Sequence, residues 1–197
     1  FIAKRNRVLT PSGNGIYCDA TTANVTDIVV SNNYVDCSNS DIIVGAGCIS
    51  IFGTQTGAPA YQLSRGVVSE NILFGRAASN VIGITVRGDR FYVAGNRIYG
   101  AYIGYSFDYP NYCNIVGNFA EGCTLYSYEM VAGSSSATSA SKNTFSGNTS
   151  LITTSTAAGL IISGSGGALA VDTVISGNTF TGGTYGIVTS SFSTQGD

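Results

Sequence analysis

The sequence predicts an all-β protein whose chain winds as a right-handed parallel β-helix, a solenoid of about seven irregular coils of roughly 22 to 38 residues. Three observations support this fold. An asparagine signature recurs six times, a second strand-like segment follows its copies, and charged residues make up only 10% of the 197 residues. Together they indicate stacked coils rather than packed amphipathic helices.

The recurrent signature is an apolar residue followed three positions later by Asn, usually with Gly or a small residue just before that Asn. Its copies are Val30-Ser31-Asn32-Asn33, Val68-Ser69-Glu70-Asn71, Val93-Ala94-Gly95-Asn96, Ile115-Val116-Gly117-Asn118, Phe145-Ser146-Gly147-Asn148 and Ile175-Ser176-Gly177-Asn178. The signature asparagines advance by 38, 25, 22, 30 and 30 residues. Stacked coils would bring these asparagines about 4.8 Å apart. We therefore expect each Asn to adopt the left-handed turn conformation and to hydrogen-bond to its copy in the next coil.

A second strand-like segment completes each repeat. It is clearest in Gly83-Ile84-Thr85-Val86, Gly104-Tyr105-Ser106-Phe107, Gly159-Leu160-Ile161-Ile162 and Gly186-Ile187-Val188. Two strands and two turns per repeat make one coil of a solenoid. The polar stretches from Phe52 to Ser64 and from Ala132 to Lys142 are predicted to be excursions from the coil, because the repeat resumes on each side of them.

The composition favours strands and excludes several partners. Val, Ile, Thr, Tyr and Phe occur in short runs separated by Gly, Asn and Ser, as in strands joined by tight turns. The formal net charge is −2 and there is no Lys/Arg-rich tract, so we predict no nucleic-acid partner and no membrane partner. We expect a single β-helix domain over residues 1–197, as a fragment of a longer chain, because the sequence begins without Met and with a strand-like segment.

The residue types that are present limit the possible chemistry. The chain contains no His, which excludes a Ser-His-Asp triad, a Cys-His pair and His-based metal sites. The five cysteines lack CxxC spacing and are predicted to be free, buried thiols. We predict neither a metal nor a cofactor. Catalysis is left to carboxylates, Arg, Lys and Tyr.

The second strands of three successive coils gather charged residues on one face. Aligning Gly83-Ile84-Thr85-Val86-Arg87 with Gly104-Tyr105-Ser106-Phe107-Asp108 and Ser127-Tyr128-Glu129-Met130-Val131 points the apolar residues inward. Arg87, Asp108 and Glu129 then point outward. Asp108 and Glu129 would lie on a diagonal of about 7 to 8 Å between backbones, which suits either geometry of glycoside hydrolysis. We predict Asp108 and Glu129 to be catalytic and Arg87 to bind substrate, against the alternative of a surface salt bridge.

Aromatic residues are concentrated around these strands. Residues 91 to 128 hold eleven of the 21 Phe and Tyr residues, and one part of a coil cannot bury that many. Exposed Tyr beside carboxylates stacks on sugar rings and hydrogen-bonds to their hydroxyls. The predicted substrate-binding tyrosines are Tyr92, Tyr102, Tyr109, Tyr112 and Tyr126. Plain packing and a trimer interface are the alternatives for this surface.

The repeat resembles that of a known superfamily. Ile175-Ser176-Gly177-Asn178-Thr179-Phe180, followed by Gly186-Ile187-Val188, is similar to the repeats of pectate-lyase-like β-helix proteins. The irregular coils and the unpaired cysteines most resemble a bacteriophage tailspike depolymerase. That resemblance implies a homotrimer on a virion, or an extracellular location, with a bacterial surface polysaccharide as partner.

Three functions therefore stay open. The first is hydrolysis of a bacterial surface polysaccharide by Asp108 and Glu129. The second is a non-catalytic tail-fibre or adhesin shaft that binds glycans. The third is a polysaccharide lyase or epimerase in which Tyr transfers the proton and Arg neutralises a uronate, with Arg87, Arg90 or Arg97 near Tyr102 or Tyr109.

Overall fold

Most of the described residues lie in β-strands. The computed structural model describes residues 1–20, 24–39, 46–53, 63–132, 140–154, 157–164 and 170–190. They form 22 strands and one 3₁₀ helix, Ala77–Ser79. In chain order the strands are β1 (Ile2–Lys4), β2 (Arg7–Leu9), β3 (Ile16–Ala20), β4 (Val25–Ser31), β5 (Tyr34–Asp36), β6 (Gly47–Gly53), β7 (Leu63–Ser69), β8 (Ile72–Phe74), β9 (Ile82–Ala94), β10 (Arg97–Tyr99), β11 (Ile103–Asn111), β12 (Asn114–Val116), β13 (Phe119–Glu121), β14 (Tyr126–Val131), β15 (Ala140–Ser141), β16 (Thr144–Ser146), β17 (Thr149–Leu151), β18 (Ala158–Ser163), β19 (Ala170–Val171), β20 (Val174–Ser176), β21 (Thr179–Thr181) and β22 (Tyr185–Ser190). The predicted all-β class is confirmed.

The strands form one sheet of 15 strands and one of seven, and every pairing is parallel. The small sheet has the order β2-β5-β8-β10-β13-β17-β21. The large sheet contains two stacks of strands, and the long strand β9 belongs to both. The first half of β9 lies in the first stack, which has the order β3-β6-β9-β11-β14-β18-β22. The second half of β9 lies in the second stack, which has the order β1-β4-β7-β9-β12-β16-β20. Successive passages of the chain thus add parallel strands to the same stacks, which is compatible with a parallel β-helix.

The core receives side chains from all three stacks. Ile84 and Val93 from the two halves of β9 and Ile98 from β10 are fully buried in one apolar cluster. Tyr105 and Tyr128 stack in the same core, with ring centroids 4.8 Å apart and planes within 7°. Each buried aliphatic or aromatic side chain stabilises the fold by about 1.5–3 kcal/mol. Alternation along the strands therefore places one apolar column inside each stack.

The asparagines form the predicted ladder. Each side-chain Nδ2 donates to the Oδ1 of the next asparagine at 2.8–3.0 Å. The backbone N–H of each residue donates to the same oxygen at 2.9–3.1 Å. The asparagine ladder comprises Asn6, Asn33, Asn71, Asn96, Asn118, Asn148 and Asn178. Asn6 is a member that the signature search missed.

At the turn that carries the asparagine ladder, the residue in the left-handed conformation is the one that precedes each asparagine. The prediction that the asparagine itself adopts this conformation is therefore wrong. The asparagine side chain must point inward to reach the neighbouring asparagines, so the preceding residue takes the left-handed conformation that turns the chain. The residues with positive φ that precede the ladder asparagines are Arg5, Asn32, Glu70, Gly95, Gly117, Gly147 and Gly177. Four of the seven are glycine, which adopts this conformation without a Cβ clash.

A second column of left-handed residues follows the corner between the two stacks of the large sheet. The column, here called the corner ridge, consists of Asp27, Arg65, Arg90, Tyr112, Lys142 and Asp172, with φ between 52° and 59°. None of the six is glycine. A non-glycine residue in the left-handed backbone conformation costs about 1–2 kcal/mol. Each of the six side chains of the corner ridge is therefore present at a cost to the stability of the fold.

The two predicted excursions are shorter than expected. Phe52 still belongs to β6, and Leu63 and Ser64 belong to β7. The second stretch ends earlier, because β15 begins at Ala140. Residues 54–62 and 133–139, the middle of each stretch, lie outside the described residues.

The cysteines are free and buried, as predicted. Burial raises the pKa of Cys113 and of Cys123 to about 12. A thiol with so high a pKa carries almost no thiolate at neutral pH and is a poor nucleophile. These two side chains therefore serve as small apolar core residues.

Candidate functional site

The predicted register of β9, β11 and β14 is confirmed. Asp108 lies opposite Arg87 on one side and Val131 on the other, and Ser106 lies opposite Glu129. The inward set, Ile84, Val86, Tyr105, Phe107, Tyr128 and Met130, is buried in the core. The outward residues Arg87, Asp108 and Glu129 therefore lie on the same face of three successive parallel strands, β9, β11 and β14.

The small outward residues are less exposed than alternation alone suggests. Thr85 and Ser106 point away from the core, yet each is almost completely buried. Neighbouring strands are about 4.8 Å apart, so longer side chains on adjacent strands shield a short one between them. The face carrying Arg87 and Glu129 is thus a partly desolvated surface.

Arg87 and Asp108 form a half-buried ion pair. The Arg87 Nη2 and Nε atoms donate to Asp108 Oδ2 at 2.6 and 3.0 Å, and the two side chains are 32% and 15% exposed. The Arg87 guanidinium also lies 5.3 Å from the Phe52 ring centroid and 6.0 Å from that of Tyr109. Within the described part of the chain, Asp108 Oδ1 accepts no hydrogen bond. That oxygen is available to a bound molecule.

Glu129 occupies a different environment on the next strand. Burial raises the pKa of its carboxyl group, and the nearby negative charge of Asp108 raises it further. Ser106 Oγ donates to Glu129 Oε2 at 3.0 Å and partly opposes the increase in pKa. No cation contacts Glu129 in the described ranges. One carboxylate is therefore compensated by Arg87, while the other is desolvated and more readily protonated.

One of the predicted tyrosines, Tyr126, lies near Glu129, and a second, Tyr102, lies near Tyr126. Tyr126 begins β14 and pairs with Ile103 of β11. Its phenol pKa is raised by burial, by the charge of Glu129 and by Tyr102. Both Tyr102 and Tyr126 are half-buried. Their hydroxyl groups give this end of the face donors and acceptors for a polyhydroxylated molecule.

A bulge directly follows Asp108. Between Asp108 and Asn111 the register with β9 shifts, so that β11 contains one residue more than its partner strand. Tyr109 sits in this bulge with φ 54°, and its ring approaches Arg87. Bulges are enriched next to active sites, where they redirect a side chain. Strict alternation could not have predicted this bulge.

Tyr92 and Tyr112 lie apart from this group. Tyr92 belongs to the second half of β9, where it pairs with Val67 and Asn114. Tyr112 belongs to the corner ridge, and both tyrosines are largely exposed. The chain turns at the corner between Asp108 and Tyr112, so proximity in sequence does not bring their side chains onto one face.

The arginines named beside tyrosines in the lyase hypothesis are dispersed. Arg87 contacts Tyr109, whereas Arg90 lies 5.6 Å from the Tyr112 ring. Arg97 lines a cleft of about 410 Å³ at the asparagine turn with Glu70, Gly95, Tyr99, Gly117 and Phe119. That cleft includes none of the residues predicted as catalytic.

Phe52 is a residue of the candidate site that sequence reasoning missed. It lay at the edge of a predicted excursion, but it is the penultimate residue of β6 and reaches the Arg87 guanidinium. The alternation Ile49-Ser50-Ile51-Phe52 was the signal that could have identified it, since Ile49 and Ile51 are buried in the core.

Among the described residues, no group of three or more Cys, Asp or Glu side chains is placed to hold a metal ion. Their one short helix is far from the length and apolarity needed to cross a bilayer. Searches against protein-family models, curated proteins and solved structures found no match to this chain.

Proposed function

We propose that the chain is a right-handed parallel β-helix of the pectate-lyase-like kind, a single domain of a tailspike-type protein. It binds a bacterial surface polysaccharide and hydrolyses it with Asp108 and Glu129. The observation that carries this proposal is the pair of neighbouring carboxylates in contrasting environments, one held by Arg87 and one desolvated. Such contrasts separate the acid from the base or nucleophile in glycoside hydrolysis.

The parallel stacks support the solenoid. Ladder asparagines separated by 22 to 38 residues hydrogen-bond in sequence order, and each stack is ordered along the chain in the same direction. Variable spacing between fixed ladder positions is what irregular coils produce. A circular dichroism spectrum dominated by β structure would agree with this architecture.

In the proposed reaction, protonated Glu129 donates its proton to the glycosidic oxygen as general acid. Its raised pKa supports that role, because an acid must retain its proton near the working pH. Asp108 Oδ1 acts as nucleophile or as the base that activates water. The diagonal of about 7 to 8 Å between the two backbones allows either outcome. The configuration of the released sugar distinguishes retention from inversion.

The substrate-binding roles extend over the same face. Tyr102 and Tyr126 would bind sugar hydroxyl groups beside Glu129, and Tyr109 with Phe52 would flank the ring held near Arg87. Tyr92 and Tyr112 would contact more distant sugar units, since they lie beyond the corner. We further propose a homotrimer on the phage virion, because the mean hydropathy of +0.21 leaves apolar surface for subunit contacts.

The test is depolymerisation of purified bacterial capsules, followed by the release of reducing ends. Asp108→Asn and Glu129→Gln should each lower turnover at least about a hundredfold. Glu121→Gln is the matched control, because Glu121 lies on β13 in the other sheet. Full activity in both site variants would end the candidacy of the pair. A product with double-bond absorbance would indicate a lyase instead.

A non-catalytic glycan-binding shaft is the second candidate. The ion pair between Arg87 and Asp108 favours it, since Asp108 is already compensated within the chain. In that case capsules are retained by the wild-type protein without loss of chain length. Variants of Asp108 or Glu129 would then alter retention alone.

A further inference from the structure

The corner ridge brings one side chain from each of six consecutive coils onto a single line. The register shows the stacking, because the residues that flank the ridge pair from coil to coil. Thr26 pairs with Ser64, Ser64 with Asp89, Asn111 with Asp89 and with Ser141, and Ser141 with Val171. All six ridge side chains are exposed. Equivalent positions in adjacent coils are about 4.8 Å apart.

The ridge keeps side chains where glycine would relieve strain. The asparagine turn uses glycine at four of its seven left-handed positions, whereas the corner uses none at six. Strained backbone conformations concentrate at functional sites, where the surrounding structure holds them. The difference between the two turns therefore makes the ridge side chains candidates for a binding role.

A chain of polar contacts behind the ridge fixes its middle part. Asn111 Nδ2 donates to Asp89 Oδ1 at 3.0 Å and to the Tyr109 carbonyl at 3.1 Å. Ser141 Oγ donates to Asn111 Oδ1 at 2.7 Å. These bonds connect three consecutive coils directly beside Arg90, Tyr112 and Lys142. A rigid support lowers the entropic cost of binding a ligand.

The centre of the ridge holds two cations without carboxylate partners. The Arg90 guanidinium lies 5.6 Å and the Lys142 ammonium 5.2 Å from the Tyr112 ring centroid, and Lys142 Nζ donates to the Tyr112 hydroxyl at 3.3 Å. Within the described ranges neither cation forms an ion pair. Arg65, by contrast, is paired with Asp27 at 3.2 Å.

We propose that Arg90, Tyr112 and Lys142 form a binding site for the carboxylate groups of an acidic polysaccharide. Two cations separated by one aromatic ring, on coils two apart along the axis, match charges that recur along a linear polymer. The run of cations is short, with Asp27 and Asp172 at the two ends of the ridge, so the site accommodates only a few carboxylates of the polymer at a time.

This inference rests on the proposed function, because the acidic polymer is the one that Asp108 and Glu129 would cleave. Tyr112 follows Asp108 by four residues, which is at most about 14 Å of extended chain. A polymer crossing the first stack would therefore reach the ridge within a few sugar units. The ridge would hold its carboxylates while the reacting bond lies over Asp108.

The experiment is affinity electrophoresis in polygalacturonate, with fully methyl-esterified polygalacturonate as the neutral form of the same polymer. The wild-type protein should be retarded only by the acid form, and less so as salt screens the cations. The double variant Arg90→Gln/Lys142→Gln should weaken binding at least about tenfold. Arg65→Gln is the matched control and should change affinity less than about twofold, because Arg65 is already paired.

Three results would overturn the ridge as an acidic-polymer site. They are no retardation of the wild-type protein, equal retardation by the esterified polymer, and equal losses in the control and the double variant. If capsules are cleaved but any of these three results is found, the proposed hydrolysis stands and only the acidic-polymer site at the ridge is refuted. If polygalacturonate binds through Arg90 and Lys142 but no capsule is cleaved, the proposed hydrolysis is refuted and the acidic-polymer site stands.

Discussion

The asparagine ladder offers the sharpest test of the architecture through the substitution Asn118→Ala. Asn118 is 1% exposed and lies at the fifth of seven ladder positions. Its Nδ2 donates to the Val93 carbonyl at 2.8 Å and to Asn148 Oδ1 at 3.0 Å. Its Oδ1 accepts from the backbone and side-chain nitrogens of Asn96 at 3.1 and 3.0 Å. Alanine removes all four hydrogen bonds.

The expected loss follows from the groups left behind. The Asn96 backbone N–H and the Val93 carbonyl each lose a contact in a region that water does not reach. An unsatisfied buried polar group costs about 1–3 kcal/mol, so Asn118→Ala should lower the free energy of unfolding by about 2–6 kcal/mol. Asn118→Asp should be at least as destabilising at neutral pH, because it places a carboxylate oxygen against Val93 O and Asn148 Oδ1.

The assay is urea unfolding followed by far-ultraviolet circular dichroism, with Asn178→Ala as the matched control. Asn178 makes the same kind of contacts, with Asn148 and the Phe145 carbonyl, but it is only partly buried. Water can replace its bonds, and a loss of about 1 kcal/mol is expected. Equal losses in the two alanine variants would refute the idea that the buried ladder holds the coils in register.

Three further predictions follow from burial. Because burial raises the Glu129 pKa above its usual 4.5, the folded state binds more protons than the unfolded state, and stability falls as pH rises through that window. Glu129→Gln should remove this fall, so its urea midpoint should gain on that of the wild type as the pH rises above about 4.5. A Cβ on Gly66 would collide with the Phe91 ring, whereas one on Gly186 would meet nothing within 4 Å. Gly66→Ala should therefore cost about 1–3 kcal/mol and Gly186→Ala under about 0.5 kcal/mol in the same assay. Cys113 and the other four cysteines should react with a thiol reagent only after urea unfolding, and rapid modification of the native protein would contradict their burial.

The sequence was sufficient for the register of the candidate site because two periodic signals agreed. The alternation of apolar and polar residues identified the inward-pointing side chains, and the repeated asparagine aligned each predicted repeat with the next. Together these signals predicted that Asp108 pairs with Arg87 and Ser106 with Glu129, and the strand pairing agrees. A one-residue error would have turned both carboxylates into the core.

Features that break the period were beyond prediction. The bulge at Tyr109 adds one residue without any change in apolar pattern. The corner separates Tyr112 from Asp108, although only three residues lie between them. The position of the left-handed residue depends on which way the asparagine side chain points, and propensity alone does not reveal that direction. Burial of Ser106 depends on the length of its neighbours rather than on its own polarity.

The ladder also has an electrical direction. From Asn6 to Asn148, each side-chain Nδ2 donates one N–H to the next asparagine of the ladder, and from Asn33 to Asn178 each Oδ1 accepts from the previous one. The amide dipoles therefore add instead of cancelling, as peptide dipoles do in an α-helix, and each hydrogen bond polarises the next. The positive end of this array faces the later coils. The described part of the chain, whose one helix is the short 3₁₀ turn at Ala77–Ser79, thus contains an aligned dipole along the direction in which its strands are stacked.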